Sequence, residues 1–203
     1  MAPDPRRPHT GRRRNEAARQ AILDATSELL GQPNGAALTI DMIAAAAGVG
    51  KQTIYRWWPS KGAVLLEAMT DLARTSAPTP DTGALASDLH TFLASTFHAA
   101  GSEPAASRLR TVMAEAQRDP HAGELMRIFA DRRRQELRQI LIRAQDRGEL
   151  LAPVDLDLVT DQVYGVLWYR LLIGHSPLSP AAAAELSAAL LKQLLCVETP
   201  EAR

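Results

Sequence analysis

Apolar residues recur along this chain at intervals of three and four, the spacing that gathers them on one side of a helix. Ala18, Ile22, Ala25 and Leu29 form the first such side, with Asn15 as a suitable N-cap. "GQPNG" (Gly31 to Gly35) ends that helix. Thr39 caps a second helix that turns Ile40, Ile43, Ala44 and Ala47 inward, and Gly48 ends it. A third starts near Lys51 and must stop before Pro59, because proline disfavours helix in the residue before it. Ser60 caps a fourth, carrying Val64, Leu65, Ala68, Met69 and Leu72.

"TSAPTPDTG" (Thr75 to Gly83) breaks the periodicity and reads as a linker. Beyond it the pattern predicts helices over Ala84–Ala99, Pro104–Arg118, His121–Arg147 and Asp155–Ile173, then one from Ser179 to about Val197. No segment alternates in the manner of a strand, and no repeat is found. The fold class expected is all-α, with about nine helices. Three parts follow: a disordered basic arm over residues 1–14, a first domain over 15–75 and a larger helical domain over 76–203.

Charge sharpens this division. The chain of 203 residues is formally neutral. Residues 1–62, however, hold nine Lys/Arg against five Asp/Glu, a balance of +4 that leaves −4 on the remainder. A basic first part suggests a polyanion as its partner. Read more plainly, Arg6 to Arg14 are a solvated tail. A hydrophobic fraction of 46% supports a packed core, and no apolar run is long enough to span a bilayer. One cysteine, Cys196, cannot pair within the chain, and no secretory signal is seen, so a cytoplasmic protein is expected.

The nine aromatic residues are unevenly placed: Tyr55, Trp57 and Trp58 all fall in "VGKQTIYRWWPSK" (Val49 to Lys61), among cations. Two short helices joined by "GVG" make a helix-turn-helix geometry. Projected at about 100° per residue from an inward Ile54, Trp58 belongs to the core and Trp57 is half inward. Gln52, Thr53, Tyr55 and Arg56 point away. These side chains donate, accept and stack, as base edges and phosphates require. Lys51 and the helix-start amides offer an anion site. Lys61 opposes the dipole of the next helix, which an external anion would explain. The plain alternative is a solvated helix with incidental aromatics.

"LTIDMIAAAAGVGKQTIYRWWPSKGAVLLEAM" (Leu38 to Met69) resembles the N-terminal domain of the TetR/AcrR family of bacterial repressors. The resemblance covers about Asn15–Thr75. "AQDRGELLAPVDLDLVTDQVYGVLWYRLLIGHSPLS" (Ala144 to Ser179) is more loosely similar to the regulatory domain of one branch. The family implies a homodimer on a palindromic double-stranded DNA operator, released when a small-molecule effector enters the C-terminal domain. It assigns DNA contact to Thr39, Gly50, Lys51, Gln52, Thr53, Tyr55, Arg56, Trp57 and Lys61. Gly50 stands where members often carry a capping serine, so one contact is lost here.

The second part shows no catalytic constellation, no cofactor motif and no metal-ligand spacing; His90 and His98 lie too far apart to share an ion. Polar and aromatic residues inside its apolar helices are candidates for lining an effector pocket: His90, Phe97, Met113, Gln117, Met126, Phe129, Tyr164 and Trp168. Core packing is the plainer reading of each. Arg132-Arg133-Arg134 reads as a solvated helix face, or more sharply as a site for an anionic effector. The last helix carries two apolar stripes. Leu186, Leu190, Leu194 and Val197 are assigned to the dimer interface and Ala184, Ala188, Leu191 and Leu195 form the other; one packs on its own domain and the other meets a partner, and spacing alone does not say which. An all-α sensor or enzyme, its basic arm serving another polyanion, is the alternative to a DNA-binding regulator.

Overall fold

A computed structural model describes residues 10–32, 38–150 and 154–195, which are helical with no strand among them. The helices are α1 (Thr10–Leu30), α2 (Ile40–Ala46), α3 (Lys51–Trp57), α4 (Lys61–Ser76), α5 (Leu85–Gly101), α6 (Ala105–Ala116), α7 (Pro120–Asp146), α8 (Leu156–Ile173) and α9 (Pro180–Leu195). Helix α1 begins before Asn15, which is therefore not its cap, and residues 10–14 of the expected basic arm are helical. Arginine is a good helix former, so the run Arg12–Arg14 extends the helix that Ile22 and Leu23 anchor. Residues 1–9 lie outside the described residues.

Side-chain oxygens begin several helices where the sequence implies. Thr39 accepts the Met42 amide at 3.3 Å and Ser60 accepts the Ala63 amide at 3.1 Å. Asp119 accepts the amides of His121 and Ala122, with Pro120 opening α7. Gly48 ends α2 at φ 65, a left-handed conformation that a Cβ disfavours. Its neighbour Val49 then donates to Ala44 at 3.0 Å, which sets the tight turn into α3.

Two apolar cores form. The first gathers Ile22, Leu23, Leu30, Leu38, Ile43, Ile54, Trp58 and Val64 from α1 to α4. The second gathers Leu85, Phe92, Phe97, Leu137, Ile140, Val163 and Leu190 from α5 and α7 to α9. Helix α4 connects them. Its Val64 and Ala68 are buried in the first core, and the helix packs against α7 from its first turn and also meets α5. The linker is tied down rather than free: Arg143 on α7 donates to the Pro80 carbonyl at 2.5 Å and lies 3.4 Å from Asp81.

Helix α9 corrects the interface assignment. Leu190 and Leu194 are buried in the chain's own second core and Leu186 packs on it half-buried, so this stripe offers a partner little surface. Val197 lies outside the described residues. Helix α9 lies along α5, and that packing consumes the stripe. The other stripe is the more exposed, with Ala188 and Leu195 exposed, Ala184 half-buried and Leu191 half-buried against the second core.

Candidate nucleic-acid interface and effector cavity

Helix α3 is too short to stand alone. Ile54, fully buried, and Trp58, at its C-cap, pin it to the first core. The Trp58 indole Nε1 donates to Glu67 Oε2 at 2.5 Å, and the other oxygen of Glu67 accepts from Arg19. One carboxylate thereby ties α1, the end of α3 and α4 together, and satisfies an indole N–H that burial would leave orphaned.

Pinning one side presents the other. Gln52, Tyr55, Arg56 and Trp57 are exposed and Thr53 is half-buried. Trp57, at 38% exposure, is turned outward more than half inward. Gly50 caps α3 without a side-chain bond, as its lack of a side chain requires. Lys61 is exposed at the first residue of α4. Lys51 differs from a free phosphate ligand: its Nζ lies 2.5 Å from Asp41 Oδ1 on α2. The hydrogen bond to Asp41, and then its charge, raise the Lys51 pKa. At the surface such a pair is weak and open to exchange.

A cavity of about 120 Å³ lies between the two cores, where the ends of α1 and α4 meet α5 to α8. Of the expected lining residues, Phe129, Tyr164 and Trp168 reach it. The others do not. His90 is exposed on α5. Phe97 is fully buried in the second core, since its position on α5 faces inward beside Leu93. Met113, Gln117 and Met126 flank a separate, shallower depression beside Trp168. The solvated reading of the arginine run also fails at its centre. Arg132 is exposed and Arg134 pairs with Asp161, but Arg133 is buried and lines the cavity. The signal was present: Phe129, Arg133, Leu137 and Ile140 share one side of α7, so Arg133 occupies a core position. The walls contributed by α4 (Met69, Leu72, Ala73) and α6 (Arg108, Leu109) were not anticipated.

Arg133 is tied to the end of α4, to α5 and to its own helix. It donates to Glu136, to the Ala77 carbonyl at 3.3 Å and to Thr96 Oγ1 at 3.3 Å, and it stacks 5.3 Å above the Phe92 ring. Tyr164 donates its hydroxyl to the Arg133 carbonyl at 2.8 Å. Burial raises the Tyr164 pKa far above its ordinary value, so the phenol stays a neutral donor. Burial raises the Glu136 pKa, and the nearby charge of Arg133 partly opposes that. Among the described residues, no group of His, Cys, Asp and Glu could hold a metal ion, and no helix is long and apolar enough to cross a membrane.

A helix-turn-helix with an exposed polar second helix, joined to a helical body with a cavity, is the architecture of a DNA-binding regulator. Residues 22–68 match the family described as "Bacterial regulatory proteins, tetR family", and residues 79–190 match "Tetracyclin repressor-like, C-terminal domain". The HTH-type transcriptional regulator YdeS of Bacillus subtilis is 36% identical over 169 residues, covering 80% of this chain and 82% of that protein. The DNA-binding transcriptional repressor TetR of Mycobacteroides abscessus is 29% identical over 170 residues, 83% and 88% of the two chains. The crystal structure of the TetR family regulator SCO0332 superposes with a TM-score of 0.74 at 32% identity, covering 89% of this chain and 99% of that one. The chain belongs to the TetR family of bacterial transcriptional regulators.

Proposed function

We propose that this regulator is a homodimeric repressor, acting in the cytoplasm, that binds a palindromic operator and leaves it when a small molecule fills the cavity. The observation that carries DNA recognition is the division of α3. Ile54 and Trp58 are buried while Gln52, Tyr55 and Arg56 are exposed on the opposite side. In this reading Gln52 and Arg56 address base edges, Thr39, Tyr55, Trp57 and Lys61 hold the backbone, and Gly50 and Thr53 allow close approach. Lys51 joins the phosphate contacts by exchanging Asp41 for DNA. The part up to about residue 75 holds DNA, and residues 76–203 hold the partner subunit and most of the ligand cavity, whose wall Ser27, Leu30, Met69, Leu72 and Ala73 of the first part complete.

Exposed apolar surface supports the dimer. Eight large hydrophobic residues are exposed among the described residues. Met42, Tyr55 and Trp57 belong to the helix-turn-helix, and the other five, Leu158, Tyr169, Leu172, Ile173 and Leu195, lie on α8 and α9. Such a concentration is costly in water and is removed when two copies bring these helices together across a two-fold axis. The cavity supports release, because Met69, Leu72 and Ala73 on its wall sit on the helix that begins with Lys61. A ligand that moves α4 moves the DNA-binding end. A mobility shift with the DNA upstream of the protein's own gene tests the proposal. A shift abolished by excess specific competitor supports it, and indifference between that DNA and random DNA contradicts it.

A further inference from the structure

We infer that the cavity takes an organic acid, with an anionic head such as a carboxylate on an apolar body about the size of one aromatic ring. The inference rests on the reading of this cavity as the effector site and adds the chemistry of the occupant. Its walls are mostly apolar, with Leu30, Met69, Leu72, Phe129, Leu167 and Trp168 contributing large surfaces. The charged residues on the wall are Arg108 and Arg133, and no Asp or Glu lines it. Ser27, Ser76, Thr96 and Tyr164 add neutral polar groups to this wall, but its only charged members are the two guanidinium groups, which repel cations and attract an anion.

Neither arginine is explained by packing alone. Burying a guanidinium is costly even with a carboxylate beside it, and an apolar residue of similar volume serves a core at least as well. Arg133 keeps one carboxylate neighbour, Glu136, and two weaker acceptors, Ala77 O and Thr96 Oγ1. A guanidinium carries more donors than these acceptors use. Arg108 donates to the Ser27 carbonyl at 3.3 Å, and the nearby Glu103 is bonded to Arg110 instead. Burial lowers the Arg108 pKa, the mark of a cation short of solvation. An incoming carboxylate restores to both groups what the fold has removed, in the planar, two-point geometry that guanidinium favours. Size follows from volume. An enclosed apolar cavity of about 150 Å³ in another protein holds benzene; this one, at about 120 Å³, opens to solvent, so a single ring or a short alkyl chain fits with part of the molecule reaching the opening.

Calorimetric titration of the full chain with benzoate, phenylacetate and hexanoate, against benzamide, phenylacetamide and hexanamide, tests this. At least one acid binds at least about tenfold more tightly than its amide, the scale of one hydrogen bond to a charged group. Arg108→Gln, at a part-exposed position, abolishes that preference and Arg108→Lys retains part of it; Arg133→Met acts as Arg108→Gln does if it folds. No binding by any of the acids, or equal affinity for acid and amide, overturns the inference, as does a preference left intact in Arg108→Gln. Because binding is read without DNA, failure to find an operator would contradict the proposed function and leave this result to stand or fall separately.

Discussion

Gly62 lies so close to His121 that a Cβ on it would stand 2.7 Å from His121 Nε2, and 2.5 Å from Leu125 Cδ1. The first turn of α4 and the first turns of α7 are thus packed without room for a side chain. Lys61, next to this contact, is the residue assigned to DNA phosphate. Both obstructing atoms end flexible side chains, so a small addition can be absorbed. Gly62→Ala is expected to change the melting temperature little, because the gain in helix propensity offsets the displaced contacts. Gly62→Val is expected to cost about 1–3 kcal/mol by overpacking and to weaken operator binding more than Ala does. Thermal melts beside anisotropy titrations check this; equal operator affinity in wild type and Gly62→Val would show that the contact does not position Lys61.

Base readout is assigned to two exposed side chains of α3. Gln52→Ala and Arg56→Ala are each expected to cost about 1–3 kcal/mol at the operator and to relax preference at one base position per half-site. Competition titrations against point-substituted operators measure both quantities. Undiminished discrimination in both variants would move readout elsewhere.

Much of this surface was legible in the sequence for a physical reason. A helix of two turns exposes one side and buries the other, so fixing Ile54 inward fixed Gln52, Tyr55 and Arg56 outward. The cap at Thr39, the stop at Gly48 and the limit set by Pro59 depend on local backbone chemistry, and they too could be read. What escaped depends on distant partners. Lys51 meets Asp41 across the turn, and Arg133 finds acceptors on α4's end and on α5. Nor could periodicity rank the two stripes of α9, since both repeat at helical spacing and only the packing of α5 decides between them.

Phosphate contact behaves differently from base contact. Lys61→Ala is expected to weaken binding to all DNA alike and to lower the slope of log K against log salt by roughly one unit. Titrations at several salt concentrations, with operator and random duplexes, give the slope. A change in sequence preference would place Lys61 among the reading residues.

Trp58 joins burial to a hydrogen bond with Glu67, and Glu67 joins Arg19. Trp58→Ala is expected to destabilise the first core by about 3–5 kcal/mol and to lose DNA binding through unfolding. Denaturant titration followed by circular dichroism reads the loss. An unchanged midpoint with no DNA binding would make Trp58 a contact residue.

The two stripes of α9 make opposite predictions. Leu191→Arg with Leu195→Arg, on the more exposed stripe, is expected to give a folded monomer with weak, non-specific DNA binding. Leu190→Ala, on the inward stripe, is expected to cost about 2–5 kcal/mol of stability. Light scattering and melting curves separate the cases; a dimer that survives the double arginine variant would put the interface on another face.

The central claim, that two copies of α3 read a symmetric site, is met most directly by selection of bound sequences from a random DNA pool with the full-length protein. The account predicts enrichment of a palindrome whose half-site centres lie one helical turn, about 34–36 Å, or more apart. The same selection with Gln52→Ala should lose preference at one symmetric pair of positions. No enrichment, or a single asymmetric site unaffected by Gln52→Ala, would contradict it.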